Sequence, residues 1–132
     1  MAINQPHQAY KQSSVNTASP GELTLLLYNG CLKFIKFAKK AMAENDIEQR
    51  NVNLIKAQNI ILELMVTLNM DIEISQNLAQ MYDYIHRKLV EANTKNDIEI
   101  LNEVEGYVVE FRDTWKEAMQ LNRKQYAESG RA

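Results

Sequence analysis

The 132-residue chain is poorest in the residues that interrupt helices, with four glycines and two prolines, and both prolines fall within the first 20 positions. Beyond Pro20 the backbone is therefore free to run as helix broken only by short turns. No glycine-rich phosphate loop is present. A single cysteine, Cys31, excludes an internal disulfide. It falls on the apolar side of a helical pattern, where a buried structural thiol is expected. Histidine is almost as scarce, with only His7 and His86. A carboxylate-bridged metal pair in a bundle needs Glu-x-x-His on two helices and a glutamate from each of two others. Only Asp83-x-x-His86 approaches that pattern, and no serine or cysteine has a histidine placed to activate it. No metal, no cofactor and no enzymatic activity are expected. No apolar run nears the roughly 18 residues of a membrane span, and residues 1–10 lack the apolar stretch of a secretory signal. A net charge of −2 provides no basic excess for nucleic acid. The expectation is one domain in the reducing cytosol, without membrane insertion.

What the chain does have is hydrophobic residues, 45% of the total, arranged with helical periodicity. Ser19-Pro20-Gly21-Glu22 combines an oxygen-bearing cap, a proline at the first helical position and a carboxylate three residues on, the pattern that starts a helix. At about 100° per residue, Leu23, Leu26, Leu27, Gly30, Phe34, Phe37, Ala38 and Ala41 share one side, widened by Tyr28, Cys31, Ile35 and Met42. Lys33, Lys36, Lys39 and Lys40 occupy the opposite side. Leu25 and Leu32 lie among them with no obvious core to fill, either as ordinary exposed apolar residues or as contacts for a partner.

Asp-Ile-Glu recurs at Asp46, Asp71 and Asp97, each time within two residues after an asparagine. Asparagine tolerates a left-handed backbone at a helix end, and acidic residues suit the first turn of the next helix. Three tight reversals between four helices follow, and short loops make sequential helices antiparallel, so the fold class expected is an all-α, up-down four-helix bundle. Residues 17–132 form this bundle and residues 1–16 a loose N-terminal segment, with fraying expected again after Gln125. The second helix, expected over Asp46 to Asn69, carries a core stripe of Ile47, Leu54, Ala57, Ile61, Leu64, Met65 and Leu68. A second strip, Val52, Ile55, Leu62, Val66 and Met70, lies about 100° away, more apolar surface than one bundle face can bury. The third helix should bury Ile74, Leu78, Met81, Tyr82, Ile85, Leu89 and Ala92. The fourth should bury the stripe from Ile100 to Met119, with Glu103, Glu110 and Glu117 on its outer side.

The order and spacing of Tyr10, Val15, Thr17-Ala18-Ser19-Pro20, Glu22-Leu23, Leu27-Tyr28-Asn29-Gly30 and Phe34 resemble the entry helix of the flagellin-specific export chaperones. The resemblance continues through Ala57, Ile60-Ile61, Glu63-Leu64, Leu78, Tyr82, Tyr84, Ala92-Asn93 and Arg112-Asp113-Thr114-Trp115. Asn29, Leu68-Asn69 and Met81 depart from the family pattern. The resemblance implies a cytoplasmic chaperone that captures the disordered C-terminal segment of flagellin, prevents its premature polymerisation and passes it to the flagellar type III export gate. Surplus apolar strips mark a partner site, and a groove between bundle helices accepts an amphipathic segment. Leu25, Tyr28 and Leu32 on the first helix, with Ile55, Leu62 and Val66 on the second, are the expected groove contacts, unless they close the bundle instead. Ile3 and Tyr10 would form a lid over the groove when it is empty. Two other readings remain at this point. His86 followed by Arg87-Lys88 weakly resembles a histidine phosphotransfer module, and the apolar strips would also serve a self-associating adaptor, a monomer or weak homodimer when free.

Overall fold

The computed structural model describes residues 19–130 and contains four helices: α1 (Pro20–Ala43), α2 (Ile47–Val66), α3 (Glu73–Lys95) and α4 (Ile98–Gly130). The start of α1 follows its sequence signal. Ser19 is the N-cap, its hydroxyl accepting from the Glu22 N–H at 3.2 Å and donating to the Glu22 carboxylate at 3.3 Å. Two of the three reversals close on left-handed asparagines, Asn45 (φ 57°) and Asn96 (φ 52°). Asp46 then caps α2 by accepting from the Gln49 N–H, and Asp97 accepts from the Glu99 N–H. The middle reversal is built differently. Asn69 uses its side chain rather than a left-handed backbone, accepting from the Asp71 N–H at 3.1 Å, and α3 begins on Ile72 with no side-chain cap. Accordingly α2 stops at Val66, three residues short of the expected Asn69.

The helices pack in a ring, α1 against α2 and α4, and α3 against α2 and α4. Lys39 of α1 pairs with Glu105 of α4 at 2.9 Å, and Arg50, early in α2, donates to Asn93 and Asn96 at the end of α3. Both pairings join the start of one helix's neighbour to the end of the other, as antiparallel packing requires. The all-α, up-down bundle is the observed architecture. At about 1.5 Å per residue α4 is roughly 50 Å long, well beyond the others. It continues as helix to Gly130, past the point where fraying was expected.

The core runs along the bundle axis through Leu27, Cys31 and Ile35 of α1, Leu54, Ile61 and Leu64 of α2, Tyr82, Ile85 and Leu89 of α3, and Leu101, Val104 and Val108 of α4. Gly30 lets α1 and α2 approach closely, since a Cβ there would lie 3.2 Å from the Ile60 methyl. At the far end, the Trp115 indole N–H donates to the Gly21 carbonyl at 2.8 Å, fastening α4 to the first turn of α1. Cys31 is fully enclosed, and burial pushes its thiol up to about 12, so it is a packing residue as expected.

At mid-bundle the Tyr28 and Tyr82 hydroxyls hydrogen-bond to each other across the axis, and the Phe111 ring meets both, tilted against Tyr28 at 6.3 Å and edge to face with Tyr82 at 5.9 Å between centroids. Desolvation raises both phenols above their ordinary value of 10.0. The neutral forms are therefore favoured by folding. Their contribution to stability is complete below about pH 10 and is lost as pH climbs through the raised folded-state values. Tyr82→Phe should cost about 1–3 kcal/mol, because it strands a buried hydroxyl. The double variant Tyr28→Phe/Tyr82→Phe should cost less than the sum of the two single changes. Urea unfolding of the three variants measures this, and strict additivity would contradict it.

Candidate protein-binding surface

The register of α2 separates two apolar faces. Leu54, Ala57, Ile60, Ile61 and Leu64 turn inward and are buried. Val52, Ile55, Leu62 and Val66, at spacings of three, seven and four, share one outer face, where they are 36%, 44%, 42% and 84% exposed. Asn59 interrupts this row. Around the second reversal Met70, Ile72 and Ile74 are also all at least half exposed. Such a row is unusual for a face with no neighbouring helix among the described residues, because each residue leaves apolar area in water at about 25 cal/mol per Å².

A second helix borders this row. The Asn93 amide of α3 donates to the Asn51 side chain of α2 at 2.6 Å. Ile55 lies one turn on from Asn51, and Val90 lies one turn back from Asn93. In an antiparallel pair these two follow the hydrogen bond on the same outer seam. Val90 is itself 42% exposed. The surface thus has an α2 wall of Val52, Ile55, Leu62 and Val66 and an α3 margin at Val90.

Of the six groove residues expected from the sequence, Ile55, Leu62 and Val66 lie on this surface. Leu25 is partly buried on α1. Tyr28 and Leu32 are corrected: both are inside the bundle, 3% and 4% exposed, and present no surface to a partner. The cause is the placement of α4. It covers the flank of α1 that carries Leu32 and Lys39, while the Lys39 ammonium reaches out along the seam to Glu105. Turning α1 this way sinks Tyr28 against Tyr82 and leaves Phe37, expected in the core, half exposed. Ile47 and Ile74, also expected inside, are exposed, each in the first turn of its helix. Ile3 and Tyr10, the expected lid, lie outside the described residues.

Val90 belongs to the surface without having been singled out for it. A solitary valine among polar neighbours on the outer side of α3 carries little signal in a sequence. Its meaning comes only from the register of α3 on α2. His86, on the same helix, is partly buried, and its neighbour Asp83 pairs with Arg87 at 3.0 Å. Among the described residues no group of histidine, cysteine and carboxylates is placed to hold a metal ion, and no helix is long and apolar enough to cross a membrane.

Residues 2–122 match the family model described as flagellar protein FliS. The chain belongs to the FliS family. Among FliS proteins it is 61% identical to the flagellar secretion chaperone FliS of Bacillus subtilis over 130 residues, covering 98% of each chain. It is 37% identical to the flagellar secretion chaperone FliS of Escherichia coli, over 85% of this chain and 88% of that one. With the flagellar secretion chaperone FliSB of Pseudomonas aeruginosa the identity is 34%, over 86% and 92% of the two chains. The match to the FliS model spans every helix of the bundle except the last turns of α4. The exposed α2 row and the buried tyrosine pair are therefore both part of the region shared with FliS.

Proposed function

We propose that this protein is a flagellar export chaperone that works in the cytosol without catalysis, holding the disordered C-terminal segment of flagellin until it is passed to the export gate. The observation that carries this reading is the exposed row Val52, Ile55, Leu62 and Val66 on α2, which four packed helices leave in water. Membership of a family whose relatives are named flagellar secretion chaperones supports a flagellar export substrate as the cargo. An amphipathic segment of flagellin lies along the row with anchors at i, i+3, i+4 and i+7. Ordering that segment costs several kcal/mol of the gross interaction, so the complex is reversible enough for hand-over.

Residues 1–16 act as the lid, with Ile3 and Tyr10 covering apolar surface while no cargo is bound. The test is a pull-down with a flagellin C-terminal peptide, comparing the full chain with a variant lacking residues 1–14. The peptide should be retained by the full chain and bound with altered affinity by the shortened one, while the thermal melt of the bundle is unchanged. Absence of capture by the full chain would remove the chaperone reading. Unchanged affinity with a weakened bundle would remove only the lid.

A further inference from the structure

The seam between α1 and α2 opens, near the first reversal, into a cleft of about 390 Å³. Its apolar floor is made by Phe34, Phe37 and Ala41. The two rings meet edge to face at 6.4 Å, and Phe37 is half exposed although it lies on the side of α1 that its periodicity assigns to the core. On the α2 side the lining is Gln49, Asn53 and Lys56. None of these fills the space over the rings with apolar atoms.

Charge is unevenly distributed along this cleft. Lys33 from α1 and Lys56 from α2 hold their ammonium groups 4.8 and 5.3 Å from the Phe34 centroid, and Lys40 lines the same opening. Elsewhere on the molecule Lys39, Lys88 and Lys95 are neutralised by carboxylates at 2.9 to 3.2 Å. Among the described residues neither Lys40 nor Lys56 has such an ion pair. Two carboxylates also line the cleft, Glu44 one turn beyond Lys40 and Asp46, which is engaged in capping α2. The result is an aromatic floor beside two lysines, Lys40 and Lys56, that no carboxylate neutralises at ion-pair distance among the described residues. A lysine ammonium drawn onto a ring is held in place yet keeps outward donors, ready for a carboxylate.

We propose that this cleft is a second protein-docking site, one that takes an acidic segment of a partner protein bearing one bulky apolar side chain. The apolar side chain seats on Phe34 and Phe37, and flanking carboxylates pair with Lys40 and Lys56. The site shares no residue with the outer row of α2. At about 100° per residue Gln49, Asn53 and Lys56 project on average about 110° away from Val52, Ile55 and Leu62, so the two surfaces lie on different faces of α2, adjoining at Val52 and Lys56. The proposal stands on the charge and shape of the cleft and does not depend on what occupies the α2 row.

The test selects random peptides of about 16 residues, enough for four helical turns, on the full-length chain, with counter-selection against Lys40→Glu/Lys56→Glu. Enriched peptides should carry an aromatic or large aliphatic residue flanked by aspartate or glutamate. Their affinity, measured by calorimetry, should fall at least about tenfold in Lys40→Glu/Lys56→Glu and in Phe37→Ser, and should weaken with added salt. Lys116→Glu, a charge reversal on the exposed part of α4, should leave it unchanged. All three variants change exposed or partly exposed side chains, and circular dichroism verifies that each is folded. Failure to enrich any sequence, enrichment of basic or uncharged peptides, or equal binding to the charge-reversed chain would each overturn the assignment. So would concentration-dependent self-association that Lys40→Glu/Lys56→Glu abolishes, which would make the cleft a contact between copies.

Discussion

Replacing Leu62 by aspartate is expected to abolish capture of a flagellin C-terminal peptide while leaving the bundle as stable as before. Leu62 is 42% exposed at the centre of the α2 row, so a carboxylate there remains hydrated in the free protein. Surface changes away from caps and buried polar groups usually alter stability by no more than about 0.5 kcal/mol. In the complex the same carboxylate faces an apolar anchor and loses its water. A central anchor in such an interface is worth about 2 to 4 kcal/mol, and burying an unpaired charge adds to the loss. The check is calorimetric binding of the peptide together with urea unfolding of the free variant. Retained affinity in a folded variant would exclude Leu62 from the contact surface.

The residue before it should behave in the opposite way. Ile61 is 1% exposed, turned through about 100° into the core with Leu54 and Leu64. Ile61→Ala is expected to cost about 2–5 kcal/mol, the sum of lost transfer energy and an unfilled cavity. Against a total of about 5–15 kcal/mol for a domain, that is a large share, visible as a clear drop in the urea midpoint. Peptide affinity of the fraction that remains folded should be nearly unchanged. If Ile61→Ala lost binding in proportion to Leu62→Asp at full stability, the division of α2 into an inner and an outer face would be wrong.

The pair shows what was legible in the sequence of α2. Its apolar residues fall in two strips, and the helical period alone separates Leu54, Ala57, Ile61 and Leu64 from Val52, Ile55, Leu62 and Val66. The cap at Ser19 was equally readable, whereas the three Asp-Ile-Glu segments marked the reversals without revealing that Asp46 and Asp97 accept backbone N–H bonds and that α3 starts with no side-chain cap. What the period did not settle was the rotation of α1. The apolar side of that helix is wide, and which of its flanks is buried depends on where α4 lies: the buried arc is shifted towards Tyr28 and Leu32 and away from Phe37. Once α4 covers Leu32, Tyr28 must turn inward, and it does so without cost only because Tyr82 and Phe111 arrive from helices more than 50 residues away in sequence. Val90 was hidden for a related reason, since a register between α2 and α3 is needed before one valine joins the row.

The bond from Trp115 to Gly21 has an optical consequence. The chain has one tryptophan, and its indole is anchored to the backbone only two residues past the point where residues 1–18 join the bundle. Intrinsic fluorescence therefore gauges that junction without any label. Excited where the six tyrosines absorb little, Trp115 reports on any change at the entrance of α1 that breaks its bond to Gly21.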